Sequence, residues 1–436
     1  MFRKLITIVF VLTLILTACS APGAPEPASD PQTTGSAANA PADPAVSMQT
    51  VAYRAQLAAQ PIEPLPDSFV SGINGFGFAA APQLFNASSN MAFSPGSLTL
   101  ALSMTHEGAA GETKTEMSQT LGLSGLTDEE IRAASRSLMW RANTGGMEAA
   151  NAVWLSQDYT FSEPFLTAAM QDYFADAFPL IIPGAKDAVN AWANEKTHGR
   201  IQKIIDDEVH SGSPILLANA LYFLGDWERP FEASDTADGE FAAPDGPVTV
   251  PFMRSDRGVP YYANDDFSMI SLTFKGEADQ GRYAMAFILP AEDKSLADLL
   301  PRLTADTFKS ALSEAMEQEV WIRLPKFEFE YFTEMRDTLI HLGMGQAFSR
   351  DADFSAMTKQ INGIYISNVL HKCYVRIDEL GAEAAAVTVV EMRDGAAMQI
   401  NEPPKFYADR PFLFAIYSEE DGAIAFLGAV NNPLQK

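Results

Sequence analysis

Cysteine is almost missing from this chain. Only Cys19 and Cys373 occur in 436 residues, so no disulfide framework can carry the fold and no C-x-x-C pair exists. Histidine is nearly as scarce. His106, His198, His210, His341 and His371 show no metal-ligand spacing, and neither a metal nor another cofactor is expected. H-E-x-x-H, G-x-S-x-G and a phosphate-binding glycine loop are absent as well, so an enzyme is not expected. Basic residues are few: 30 against 56 acidic ones, a formal net charge of −26. That balance argues against a nucleic-acid binder and against adhesion to anionic lipid by charge. No apolar run is long enough to cross a bilayer. The nearest, Leu5–Thr17, has thirteen residues, where about twenty are needed.

That short run reads instead as a targeting segment. Arg3 and Lys4 precede it, and residues 1–18 have the layout of a signal peptide. It ends Leu16-Thr17-Ala18-Cys19, which resembles the lipobox of bacterial lipoproteins. On that resemblance Cys19 is the lipidated first residue of an exported chain, anchored at the cell surface or in the envelope; plain secretion is the alternative. Residues 19–65 are rich in Pro, Ala and Ser without an apolar period, and read as a disordered tether. Forty such residues reach about 35 Å on average. With Cys19 lipidated, no intramolecular disulfide is left, and Cys373, in an alternating segment, reads as a small buried hydrophobe.

From residue 66 to 436 the chain is globular. The spacing predicts helices over Gly96–His106, Thr127–Thr144, Glu163–Phe174 and Ala188–Asp206. Ser94-Pro95 is a helix start. Strand patterns dominate the second half: Pro214–Phe223, Gly281–Leu289, Trp321–Phe329, Ile364–Asp378 and a terminal hairpin, Phe412–Ser418 with Ala423–Ala429. Helices first and strands later imply an α+β domain. Pro82 falls ahead of these, inside a further presumed helix at the start of the domain, and is expected to kink it.

One segment carries more information than the rest. In Glu379–Met392, Ala382, Ala384, Ala386, Thr388, Val390 and Met392 share one parity and are small or apolar; Glu383, Ala385, Val387, Val389 and Glu391 share the other. Side chains alternate across a strand, so this is a strand pattern with one buried face. Its first half, however, is alanine and glycine, which are weak strand formers. Such a segment is patterned for a sheet without being committed to one. Glu-Ala-Ala-Ala is also good helix sequence, and a surface helix is the ordinary reading.

The motifs along the chain resemble those of the serpin family, from about residue 66 to 433. Asn90-Met-Ala-Phe-Ser-Pro-Gly-Ser97 with Gly108-Ala-Ala-Gly111, and Asn219-Ala-Leu-Tyr-Phe-Leu-Gly-Asp-Trp227 with Phe231 and Thr236, come first. Val250-Pro-Phe-Met253, Leu324-Pro-Lys-Phe327, Ala352-Asp-Phe-Ser355, His371-Lys372, Pro411-Phe-Leu-Phe414 and Phe426-Leu-Gly428 follow in the family's order. The resemblance implies a serpin fold, helices packed around three β-sheets with an exposed reactive-centre loop. It also implies a suicide-substrate inhibitor of serine proteases, in which the cleaved loop inserts into the main sheet and traps the acyl-enzyme. A noninhibitory serpin acting as a binding or chaperone-like surface lipoprotein is the alternative.

Carried over residue by residue, the resemblance makes Glu379, Gly381, Ala382, Glu383, Ala384, Ala385, Ala386 and Thr388 the hinge. Leu380 and Ala382 depart from the family's usual residues there. Hinge length places the scissile bond at Gly395–Ala396, which suits an elastase-like or subtilisin-like protease; Arg393–Asp394 is the alternative and suits a trypsin-like one. Trp227, Lys326 and Glu379 match a sheet-opening cluster. Ser94, Ser97, Asn219 and His371 match a polar cluster under the sheet centre. A monomer is implied, touching a membrane only through its lipid.

Overall fold

The computed structural model describes residues 64–144, 147–210, 212–276, 281–360, 363–381 and 402–436. Cys19, the hinge from Ala382 onward (Ala382, Glu383, Ala384, Ala385, Ala386, Thr388) and both expected scissile bonds, Gly395–Ala396 and Arg393–Asp394, lie outside them.

In chain order, α1 (Asp67–Leu84), β1 (Met91–Phe93), α2 (Pro95–Glu107), α3 (Gly111–Thr120) and α4 (Asp128–Thr144) lead into β2 (Met147–Ser156). Next come α5 (Glu163–Gln171), β3 (Ala175–Leu180), α6 (Ala185–Lys196) and β4 (Ile215–Phe223). β5 (Ala237–Ala243), β6 (Gly246–Ala263), β7 (Phe267–Thr273) and β8 (Tyr283–Pro290) precede α7 (Leu296–Leu299) and α8 (Ala305–Glu314). The chain closes with β9 (Met316–Pro325), β10 (Phe327–Glu334), α9 (Arg336–His341), β11 (Ile366–Ile377), β12 (Lys405–Tyr407), β13 (Phe412–Ser418) and β14 (Ile424–Val430).

The expected helix Gly96–His106 is α2. Ser94 caps it by accepting from the Ser97 N–H, and Pro95 fills the first turn, where no donor is needed. Every residue from Pro95 to His106 is buried, so α2 is an axle inside the core. Pro82 sits in the last turn of α1, which ends two residues later at Leu84. The helix expected over Ala188–Asp206 starts earlier and stops at Lys196. His198 and Gly199 adopt positive φ and turn the chain out of the helix. The strand expected over Trp321–Phe329 is two strands in two different sheets, broken at Pro325–Lys326. Proline lacks the N–H to continue the ladder, so the chain changes sheets there.

Five strands form one sheet in the order β10-β11-β4-β2-β3. Nine form the other: β1-β14-β13-β8-β7-β6-β9-β12, with β5 also on β6. The arrangement of three sheets is present with two of them joined through β6. That strand pairs with β5 and β9 along its first part and with β7 only at Tyr261–Ala263. All nine residues of β4 are buried, as expected of a strand covered on both faces. On one face lies the main core. On the other, α6 packs Val189, Trp192 and Ala193 against Trp154, Leu216, Ala218 and Leu370. The Trp154 and Trp192 rings meet edge to face at 5.4 Å.

Candidate functional site

The five-stranded sheet has a seam. β4 and β11 run parallel and are directly paired from Ile215 with Ile366 to Tyr222 with Tyr374, while each is antiparallel to its neighbour on the other side. Both central strands are therefore linked by the pairing that is slightly weaker per residue.

One helix start holds both strands of this seam from below. The Ser94 N–H donates to His371 Nε2 of β11 at 3.0 Å. Asn219 Nδ2 of β4 donates to Ser97 Oγ and, at 2.7 Å, to Asn151 Oδ1 of β2. The four residues named from sequence thus converge, all 4% exposed or less. Sequence reading missed Asn151 and Cys373. The signal for Asn151 is an amide in the middle of the apolar run Ala149–Leu155. Cys373 lies two residues from His371 on the same face, its Sγ 3.2 Å from Nε2. Among the described residues His371 Nδ1 and Asn219 Oδ1 are buried without a partner, so within them the cluster is not fully satisfied.

Burial pulls the His371 pKa down to about 3, and burial followed by the Lys114 charge takes His106 to about 4. Both rings are neutral in the folded protein at neutral pH. The unfolded chain binds their protons below about pH 6.5, so stability is fully present above that value and falls as pH drops toward the folded values. Between about pH 7 and pH 4.5 His371 alone removes roughly 2–3 kcal/mol. Thermal unfolding at those two values checks this. His371→Asn should shrink the acid loss, and an unchanged pH dependence in that variant would refute the assignment.

At the top of the seam the strands are pinned differently. Trp227 is fully buried and stacks on Phe274 at 4.4 Å. Its indole N–H donates to Asp378 O at 3.0 Å, and its backbone N–H to Leu380 O at 2.8 Å. Lys326, placed where the chain passes from β9 to β10, meets Glu379 at 2.7 Å. Thr236 donates to the other oxygen of that carboxylate at 2.8 Å. Burial pushes the Glu379 pKa up, but the hydrogen bonds from Lys326 and Thr236 outweigh it and hold the carboxyl below its ordinary value. This brace therefore holds at neutral pH and is lost as pH falls through that lowered value.

Residues Asp378–Gly381 form a tight turn. The Asp378 N–H donates to Gly381 O and the Gly381 N–H returns to Asp378 O. Arg376 and the Leu380 N–H hold the Asp378 carboxylate at 2.9 Å each. Gly381 bridges to Asp226 at φ +137°. A Cβ there would lie 2.1 Å from Gly225 O, so only glycine fits. Of the sequence-named hinge, Glu379 and Gly381 are placed, at the end of the seam.

A family model described as "Serpin (serine protease inhibitor)" matches residues 71–433. A serpin-like protein of Thermococcus kodakarensis is 33% identical over 440 residues, 99% of each chain. The chain belongs to the serpin family. Intracellular coagulation inhibitor 2 of Tachypleus tridentatus is 31% identical and matches 84% of this serpin and 91% of its own length. Among solved structures, the thermophilic serpin tengpin in its native state has 29% identity and a TM-score of 0.78, covering 87% of this chain and 98% of its own. A serpin of Arabidopsis in its native stressed conformation has 26% identity and a TM-score of 0.74, covering 85% and 100%. The protein is thus a member of a family of serine protease inhibitors, not of catalytic enzymes, and has the serpin fold.

Proposed function

We propose that this serpin is a suicide-substrate inhibitor of serine proteases. The protease attacks the loop after Gly381 and forms an acyl-enzyme; the cut loop then enters the seam before deacylation. Loop insertion in serpins is an established instance of strand addition and of released strain. What supports it in this chain is the closed seam between parallel β4 and β11, with Gly381 at its end. A strand that reverses direction after β11 runs antiparallel to both neighbours, replacing one parallel pairing with two antiparallel ones.

In this reading Ala382, Ala384, Ala386 and Thr388 face inward as the hinge enters. Lys326, Glu379 and Trp227 set when the top parts. The α2 start is the latch: Ser94 holds one side of the seam through His371, and Ser97 holds the other through Asn219, so opening separates the two. We place the scissile bond at Gly395–Ala396, with Arg393–Asp394 second, and favour an elastase-like or subtilisin-like target. A lipid on Cys19 and the tether of residues 19–65 would carry the inhibitor, as a monomer, at the cell envelope.

Incubation with elastase-like, subtilisin-like and trypsin-like proteases tests this. The expected product is a covalent complex that survives denaturing electrophoresis, with a released peptide whose mass reports the cut. Two fragments and no complex with every protease would overturn inhibition in favour of a noninhibitory binding serpin.

A further inference from the structure

In this acidic protein, buried or half-buried cations generally sit on carboxylates. Arg141, 1% exposed, pairs with Glu420 and Asp421, and Lys372 pairs with Glu330 at 2.7 Å. Arg257 is different. It is 5% exposed, yet among the described residues its hydrogen-bond acceptor is the backbone carbonyl of Arg229. Arg229 in turn donates to Gly258 O at 3.1 Å. Neither guanidinium has a carboxylate partner among the described residues. Burial and the neighbouring Arg229 charge pull the Arg257 pKa down to about 10, and no carboxylate among the described residues opposes them. A desolvated guanidinium held on the backbone of a second arginine, whose charge repels it, is unfavourable unless a counter-charge joins them.

We propose that Arg229 and Arg257 form a binding site for a small oxyanion of the phosphate or sulfate class. The site has a buried floor and an open side: the Arg257 guanidinium lies 4.3 Å over the Phe231 ring, and Arg229 is exposed. Planar guanidinium forks suit an oxyanion with several acceptor atoms. The burial of Arg257 restricts the ligand to a small one.

Its position gives the site a consequence. Arg229 lies between Trp227, whose N–H donates to Leu380 O, and Phe231, whose N–H donates to Glu379 O at 2.8 Å. An anion bridging Arg229 to Arg257 ties this segment to β6 while the segment grips the start of the hinge. The filled site holds the top of the seam shut. That consequence rests on the proposed inhibition; the binding site does not.

The experiment is a titration of the full chain with sodium phosphate at constant ionic strength, made up with sodium chloride, reading the melting midpoint. Sodium sulfate forms a second arm. The midpoint should rise saturably, by about 2 °C at ten times Kd. Arg257→Met and Arg229→Gln should each abolish or sharply reduce the rise in both arms. A flat wild-type response, or an equal rise in wild type and variants, would overturn the site. Should Arg257→Met not fold, the exposed Arg229→Gln decides alone. A separate rate measurement reads the consequence: phosphate at saturation should slow complex formation in wild type and not in Arg229→Gln. If the midpoint responds while no protease complex ever forms, the anion site stands and only the inhibitory reading fails.

Discussion

Cut once between residues 382 and 401, the protein should melt at least 10 °C or so above the intact chain. Insertion of about a dozen residues between β4 and β11 adds roughly ten backbone hydrogen bonds, at about 0.5–1.5 kcal/mol net each, on top of side-chain burial. The gain is therefore on the order of 10 kcal/mol. With an unfolding entropy of about 2.1 cal/mol/K per residue over roughly 370 residues, that lifts the midpoint by on the order of 10 °C. The protein's own geometry explains why the gain is not taken before cleavage. Gly381 sits at the end of the seam, and residues 382–404 must span from there to β12 in the other sheet. β12 is held by β9 from Lys405 with Trp321 to Tyr407 with Arg323. An intact connection is thus anchored at both ends, and only a cut frees one of them. Calorimetry on intact and nicked protein measures the difference directly. Equal midpoints would remove the energy source on which inhibition depends.

Under the proposed mechanism, Ala382→Arg should replace complex formation by plain cleavage. In the proposed mechanism position 382 leads the inward parity set, and its side chain would be the first to pass between the strands. An arginine there puts an unpaired charge into a closing interior, at a cost of several kcal/mol. A rise of about 3 kcal/mol in the insertion barrier slows insertion about a hundredfold, and hydrolysis of the acyl-enzyme then wins. Electrophoresis after incubation with the target protease should show cleaved serpin in place of complex. Glu383→Gln, one residue on and in the outward parity set, is the control and should leave complex formation intact. Persistence of the complex in Ala382→Arg would reject the inward assignment.

Much of the fold was legible because local rules and burial agree. The Ser94-Pro95 start, the apolar run of β4 and the terminal hairpin all follow from capping, from two-sided burial and from turn chemistry. Misreadings fell where tertiary context overrides a local pattern. WIRLPKFEFE alternates on each side of Pro325–Lys326 but changes phase there, and it divides at that point because its halves pair with β6 and β11 in different sheets. The helix expected to reach Asp206 stops at Lys196, and the chain beyond it runs across the sheet, where Lys372 of β11 donates to Lys203 O. For the polar cluster, sequence named four members through a resemblance; Asn151 and Cys373 join only because β2, β4 and β11 bring one face of each strand beneath α2.

Sequence alone determined the class of fold, the acidic surface, the want of a disulfide framework and the parity of the segment after Gly381, since each depends on residue type and short-range spacing. Only the tertiary structure decided that β4 and β11 meet as parallel neighbours, that Lys326 reaches Glu379, and that Arg257 is buried beside Arg229 with no carboxylate partner among the described residues. Those are facts about residues far apart in the chain, set by how the sheets close on one core, and no local pattern encodes them.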